Sequence, residues 1–236
     1  MATDFSPENI RKLLEFGNLE KPVQKHLKNV YSCLAISMMS AAVGAYLTVF
    51  MGIMQGGFLT CIISLGLLFW LFSTPHNREN VPKRLGIMGA FALFTGFSLG
   101  PILNAVMYID SSIVPTAFLG TCVIFICFSV CSLLSPNRKW LYLGGSLFSG
   151  LSILLLLGLL NLFIGSQLIF ELRLYLGLGI MCAFVLYDTQ LIVEKCRRGD
   201  EDFIWHSIDL FIDFIQIFQK LMIILANKEN KKKRRD

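Results

Sequence analysis

Three aspartates stand where nearly every neighbour is apolar: Asp209 and Asp213 within IDLFIDFIQIF (208–218), and Asp188 within FVLYDTQLI (184–192). On a helix, His206, Asp209, Asp213, Gln216 and Lys220 follow one another at intervals of three, four, three and four residues. That spacing aligns them along one face, with Phe211, Ile212, Ile215 and Phe218 covering the rest. A charged side chain at mid-membrane costs about 3 kcal/mol on insertion scales, so the stripe must face protein, water or ions. Two carboxyls at close range in low dielectric share a proton, bind a cation or recruit a basic partner. Carboxylate oxygens suit Ca²⁺. The acidic cluster of Asp188, Asp209 and Asp213 therefore reads as an ion pathway gated by protonation, with Ca²⁺ a plausible passing cation. The plainer alternative is a buried Asp pair that fixes helix register by hydrogen bonding. His206, one turn from Asp209, is a candidate proton relay. Arg78 and Arg84 are candidate counter-ions for Asp188.

The elements that must carry these residues are membrane helices. Of 236 residues, 55% are hydrophobic and 16% charged, against about 25% charged in soluble domains, and the mean hydropathy is +0.64. Residues 29–77, 85–109, 111–137 and 140–170 contain no Asp, Glu, Lys or Arg. A helix needs roughly 20 apolar residues to cross the hydrocarbon core. The first gap then holds two spans joined near MQGG (54–57), and the others one each. A sixth span fits 172–193 and a weaker seventh 203–226. The expected fold is all-α, a polytopic bundle of seven helices, because backbone in lipid must satisfy itself. The period-2 alternation of a membrane barrel is absent.

Around that bundle (29–226), residues 1–28 read as a cytoplasmic amphipathic leader and 227–236 as a basic tail. Ser6 and Pro7 suit a helix start, Phe5 and Ile10 a hydrophobic staple, and Ile10, Leu13 and Leu14 one apolar face. The leader carries no cleavable signal. Thirteen basic residues fall on the leader's side and one, Arg173, on the other, which predicts a cytoplasmic N-terminus. The tail KENKKKRRD adds six more, yet seven crossings would carry it to the far side. Either the last segment re-enters or it crosses against the charge rule. GFSLGP (96–101) has Gly96 and Gly100 at helix-packing spacing, as do Gly145/Ser149 and Ser146/Gly150, and Pro101 should kink or end the third span. Six of seven cysteines fall within spans, and without a CxxC pair neither a metal site nor a disulfide framework is expected. No cofactor and no nucleic-acid partner are implied.

RLGIMGAFALFTGFSLGP (84–101), PTAFLGT (115–121), FVLYDTQLI (184–192) and GDEDFIWHSIDLFIDFIQIFQKLM (199–222) closely resemble the Bax inhibitor family, the transmembrane Bax-inhibitor-motif proteins, and in particular its endoplasmic-reticulum branch. The resemblance spans essentially the whole chain. It implies a seven-helix bundle with the last helix at the centre, surrounded by the other six. It also implies residence in the endoplasmic-reticulum membrane, suppression of apoptosis, a pH-dependent Ca²⁺ leak and damping of the unfolded-protein response. The family's proton-sharing aspartate dyad maps onto Asp188 and Asp213. A basic residue near that dyad would be Arg78 or Arg84. Membrane lipids, Ca²⁺ and H⁺ are the implied partners. A non-conducting regulator that binds Bcl-2-family or stress-sensor proteins through cytoplasmic segments is the competing expectation. An enzyme is not expected: LYDT (186–189) is similar to half of an intramembrane aspartyl protease site, but no GxGD accompanies it.

Overall fold

A computed structural model describes residues 19–53, 56–135 and 139–233. The proposed leader helix built on Ser6 and Pro7, together with Arg138 and the last three residues, lies outside the described residues. Seven helices follow in order: α1 Lys21–Met51, α2 Phe58–Ser73, α3 Val81–Ile109, α4 Ile113–Leu134, α5 Gly144–Ile164, α6 Gln167–Arg197 and α7 Phe203–Lys233. No strand occurs among the described residues. Five segments containing α1, α3, α4, α5 and α6 are long and apolar enough to span a membrane. At 16 residues, α2 is about 24 Å long, shorter than the roughly 30 Å hydrocarbon core. α7 has the length but not the apolarity. The protein is thus a polytopic, multi-pass membrane protein, and its outer surface shows the expected apolar side chains, among them Phe69, Leu162 and Phe163.

Helix ends follow local chemistry. Pro22 and Pro82 sit in the first turns of α1 and α3, where a missing N–H costs nothing. Gly52 closes α1 with φ 66° and its N–H on Leu47 O, a left-handed cap that a side chain resists. α1 begins at Lys21, inside the stretch expected to be leader, and α7 runs on to Lys233, through most of the expected tail. Pro101 neither ends nor splits its helix: α3 passes through it to Ile109. The carbonyl of Phe97, which Pro101 cannot donate to, faces Gly56 of the α1–α2 connection so closely that a Cβ there would collide with it.

α1 and α3 are the most intimate pair. A Cβ at Gly44 would strike Leu93 O, one at Gly96 would strike Ala41 O, and one at Gly100 would strike Thr48 Cγ2. The small residues of GFSLGP are therefore a packing seam, as their spacing requires. The matching pattern on α5 packs only in part: a Cβ at Gly150 would lie 3.0 Å from Ile180 Cδ1 of α6. Gly145 meets nothing within 4 Å, and α5 instead buries Gly144, Leu147 and Gly158. Spacing alone could not say which side of an all-apolar helix turns inward.

α7 occupies the middle. It buries residues on most of its circumference, with Phe211 against Phe91 of α3 and Phe214 against Phe125 of α4, at ring-centroid distances of 5.8 and 5.6 Å. It also crosses from end to end. Near its start the α1 and α6 termini meet, with Glu20 to Arg197 at 3.7 Å. At its far end Lys231 Nζ lies 2.7 Å from Glu171 at the start of α6, and Lys233 Nζ donates to Ile109 O at the end of α3 over 2.6 Å. The helix therefore runs the full length of the bundle, antiparallel to α6. The basic tail emerges at the end of the bundle opposite the start of α1.

Candidate functional site

α5 packs principally on α6, so a cleft remains between α5 and the central helix with α6 as its floor. The resulting cavity has a volume of about 960 Å³. Asp188 and Lys195 of α6, and Asp209, Asp213, Gln216 and Lys220 of α7, line it together with Phe148, Leu151 and Phe184. Four members of the polar stripe therefore share one cavity. Ile212, beside them, is 40% exposed and marks where the ring of helices around α7 is open.

The Asp188 and Asp213 carboxyls lie close enough to act directly on one another, and both line the cavity. Two ionised carboxylates have no donor between them, so such a pair can hydrogen-bond only by sharing a proton. Asp213 is 5% exposed, and among the described residues its Oδ2 has no N–H or O–H donor outside that pairing. Asp209, one turn away on α7, acts on both members as a further negative charge. The opposing charge is Lys195, which acts on Asp188 and Asp209 and lines the same cavity. Sequence reasoning missed Lys195, although its seven-residue spacing from Asp188, two helical turns, was the available signal.

Neither proposed arginine serves the dyad. Arg78 sits exposed in a short 3₁₀ turn before α3. Arg84 is 3% exposed and pairs with Asp202, Nη2 to Oδ2 at 2.6 Å, while its Nη1 lies 2.7 Å from His76 Nδ1. Asp202 also accepts the N–H of Trp205 at 3.1 Å, so the residue that neutralises Arg84 caps the start of α7. His206 likewise turns from Asp209. It is fully buried, its Nδ1 2.9 Å from His26 Nε2 of α1 and its Nε2 3.6 Å from Asp200 Oδ2. At the edge of the stripe a rotation of tens of degrees decides between the cavity and α1, and the His26 ring wins. All three histidines of the chain thus gather where the α6–α7 loop meets α1 and α3. Burial opposes charge on Asp200, but the Asp202 N–H it accepts, with His206 and Lys195 nearby, outweighs this and holds its carboxyl below the ordinary value.

Among the described residues no three or more His, Cys, Asp or Glu side chains form a group fit for a metal. Two carboxyls supply at most four of the six to eight oxygens that Ca²⁺ takes. All seven cysteines are free.

Comparison with known proteins places this architecture. Residues 23–230 match the family described as "Inhibitor of apoptosis-promoting Bax1". The chain belongs to the Bax inhibitor family. It is 53% identical over 226 residues to the probable Bax inhibitor 1 of Paralichthys olivaceus, covering 95% of each chain. It is 49% identical over 226 residues to Bax inhibitor 1 of Homo sapiens, covering 96% of this chain and 95% of the relative. The Bax inhibitor 1 of Arabidopsis thaliana is 42% identical over 222 residues, covering 92% and 88%.

Proposed function

We propose that this Bax inhibitor family member restrains cell death from the endoplasmic-reticulum membrane by letting Ca²⁺ leak from the store through the acid-lined cavity, and that the lower store content damps the unfolded-protein response. One observation carries the reading: the neighbouring Asp188 and Asp213 carboxyls line one cavity together with Asp209 and Lys195. With one proton shared, the pair is compact and carries a single negative charge. Loss of that proton sets two anions against each other, at about 4 kcal/mol for 4 Å at an effective dielectric of 20, and a divalent cation or a parting of α6 from α7 relieves it. H⁺ and Ca²⁺ therefore compete for the same oxygens. Lys195, at the end of α6 beside the loop, holds a positive charge over the acids and sets how strongly they attract a cation. On the charge distribution of the loops, the start of α1 is cytoplasmic, so Lys195 and the three histidines lie near the cytoplasm.

Ca²⁺ efflux from vesicles reconstituted with the full chain tests this. Asp213→Asn and Asp188→Asn should remove most of the pH dependence of the leak while the protein remains folded. Efflux with unchanged rate and pH profile in both variants would end the proposal.

The family description, which names an apoptosis-promoting partner, favours a second reading: a regulator that docks Bcl-2-family or stress-sensor proteins without conducting. With the start of α1 cytoplasmic, the tail lies on the other side of the membrane. Docking then falls to the leader and the α2–α3, α4–α5 and α6–α7 loops. Protection from cell death that survives both Asn substitutions would select this reading.

A further inference from the structure

The end of the cavity remote from the aspartates is basic. Arg173 of α6 and Lys220 of α7 both line it, and they act on one another as like charges. Lys220 Nζ donates to Gln216 Oε1 at 3.0 Å, a neutral acceptor that leaves its charge uncompensated. Neither cation forms a salt bridge among the described residues. Glu171, two residues before Arg173, instead meets Lys231 at 2.7 Å.

Both side chains are seated by glycines. A Cβ on Gly158 of α5 would collide with Arg173 Nη1, and a Cβ on Gly177 of α6 would lie 2.8 Å from Lys220 Cε. The two cations therefore lie against neighbouring backbone along the cleft, Lys220 partly buried and Arg173 exposed at its mouth. The cleft around them is apolar, with Leu154, Leu155, Phe170 and Leu174 on its walls, and Leu155 is 63% exposed at its mouth. Two cations in a greasy, laterally open cleft fit a ligand with an anionic head and a hydrocarbon body.

We propose that Arg173 and Lys220 together bind the phosphate group of an anionic phospholipid, drawn from the leaflet at the Lys233 end, with an acyl chain along Leu154, Leu155 and Leu174. The guanidinium offers a planar fork to two phosphate oxygens and the ammonium a point charge to a third. The bound phosphate neutralises the basic end of a cavity whose other end is acidic. The assignment concerns binding alone and stands whether or not the cavity conducts Ca²⁺.

Native mass spectrometry of the purified full chain in detergent tests it, with phosphatidic acid, phosphatidylcholine and inorganic phosphate supplied separately. One phosphatidic acid should be retained in preference to phosphatidylcholine. Each of Arg173→Gln and Lys220→Gln should weaken retention about fivefold, and the pair together about 25-fold, following about 1 kcal/mol per basic residue. Lys228→Gln with Lys232→Gln, outside the cavity, should change nothing. Protection from thermal unfolding by inorganic phosphate, lost in the same two variants, would assign the site to a soluble source of the same group. Equal retention of the two lipids without phosphate protection, or retention indifferent to both glutamine substitutions, overturns the proposal. If Lys220→Gln does not fold, Arg173→Gln decides alone, because Arg173 lies on the exposed side of its helix.

Discussion

Replacing Asp202 should damage the protein far more than replacing its partner Arg84, although the two share one ion pair of 2.6 Å. The asymmetry follows from exposure: the Arg84 side chain is 3% accessible and that of Asp202 18%. Asp202→Ala removes the cap on the Trp205 N–H, worth about 1 kcal/mol. It also strands a buried guanidinium, for which about 3 kcal/mol, the low end for a broken buried pair, is appropriate because His76 remains at 2.7 Å. The sum of about 4 kcal/mol corresponds to a melting-temperature loss of roughly 8–16 °C for a chain of this size. Asp202→Asn keeps the cap acceptor and should lose about 3 kcal/mol. Arg84→Gln leaves a carboxylate that keeps the Trp205 N–H and some water, and should lose about 1–2 kcal/mol. The sharpest comparison is the double variant Arg84→Met/Asp202→Ala, which contains no stranded charge and should be more stable than Asp202→Ala alone. Thermal unfolding in detergent, followed by tryptophan fluorescence, reads all four. A double variant less stable than Asp202→Ala, or an Arg84→Gln loss as large as that of Asp202→Ala, would refute the reasoning.

Gly96→Ala forces a methyl onto Ala41 O and should cost about 1–3 kcal/mol by overpacking, whereas Gly145→Ala, facing open space, should leave the melting temperature within error. Asp200→Asn should destabilise the protein at neutral pH and become harmless in acid. Its carboxyl is held below the ordinary value in the fold, so the charge stabilises above the unfolded value of about 4 and that contribution is lost as pH falls through the folded value. Melting curves of the two proteins that stay separated at pH 3 would contradict this.

The acid stripe was legible because charge is rare in this chain and its spacing matches a helix. Asp188, Asp209 and Asp213 do line one cavity. The basic partner was misread for an equally physical reason. An arginine at a helix start has several acids within reach, and only the packing of α3 against the α6–α7 loop sends Arg84 to Asp202 rather than Asp188. Lys195 was overlooked because, among cytoplasmic-side basic residues, it resembled an orientation signal. His206 shows the limit of face arithmetic. Its register fits the stripe, yet the ring of His26, 180 residues earlier, takes its hydrogen bond.

What the chain's own pattern determines is that helices form, how many there are, and which one is too polar for lipid, because hydrocarbon accepts no unpaired backbone and little charge. The charge-free stretches set α1 to α5, the apolar run 172–193 sets α6, and two aspartates within about one turn keep α7 from facing lipid. Tertiary structure alone decided that α7 crosses the bundle completely, bringing Lys231 to Glu171 against the orientation its basic tail would favour. Charge bias near helix ends is worth little beside the burial of Phe211, Ile217 and Met222 on the packed faces of that helix. It also decided that α5 stands off the centre, and that gap brings acids, bases and an apolar wall into one cavity.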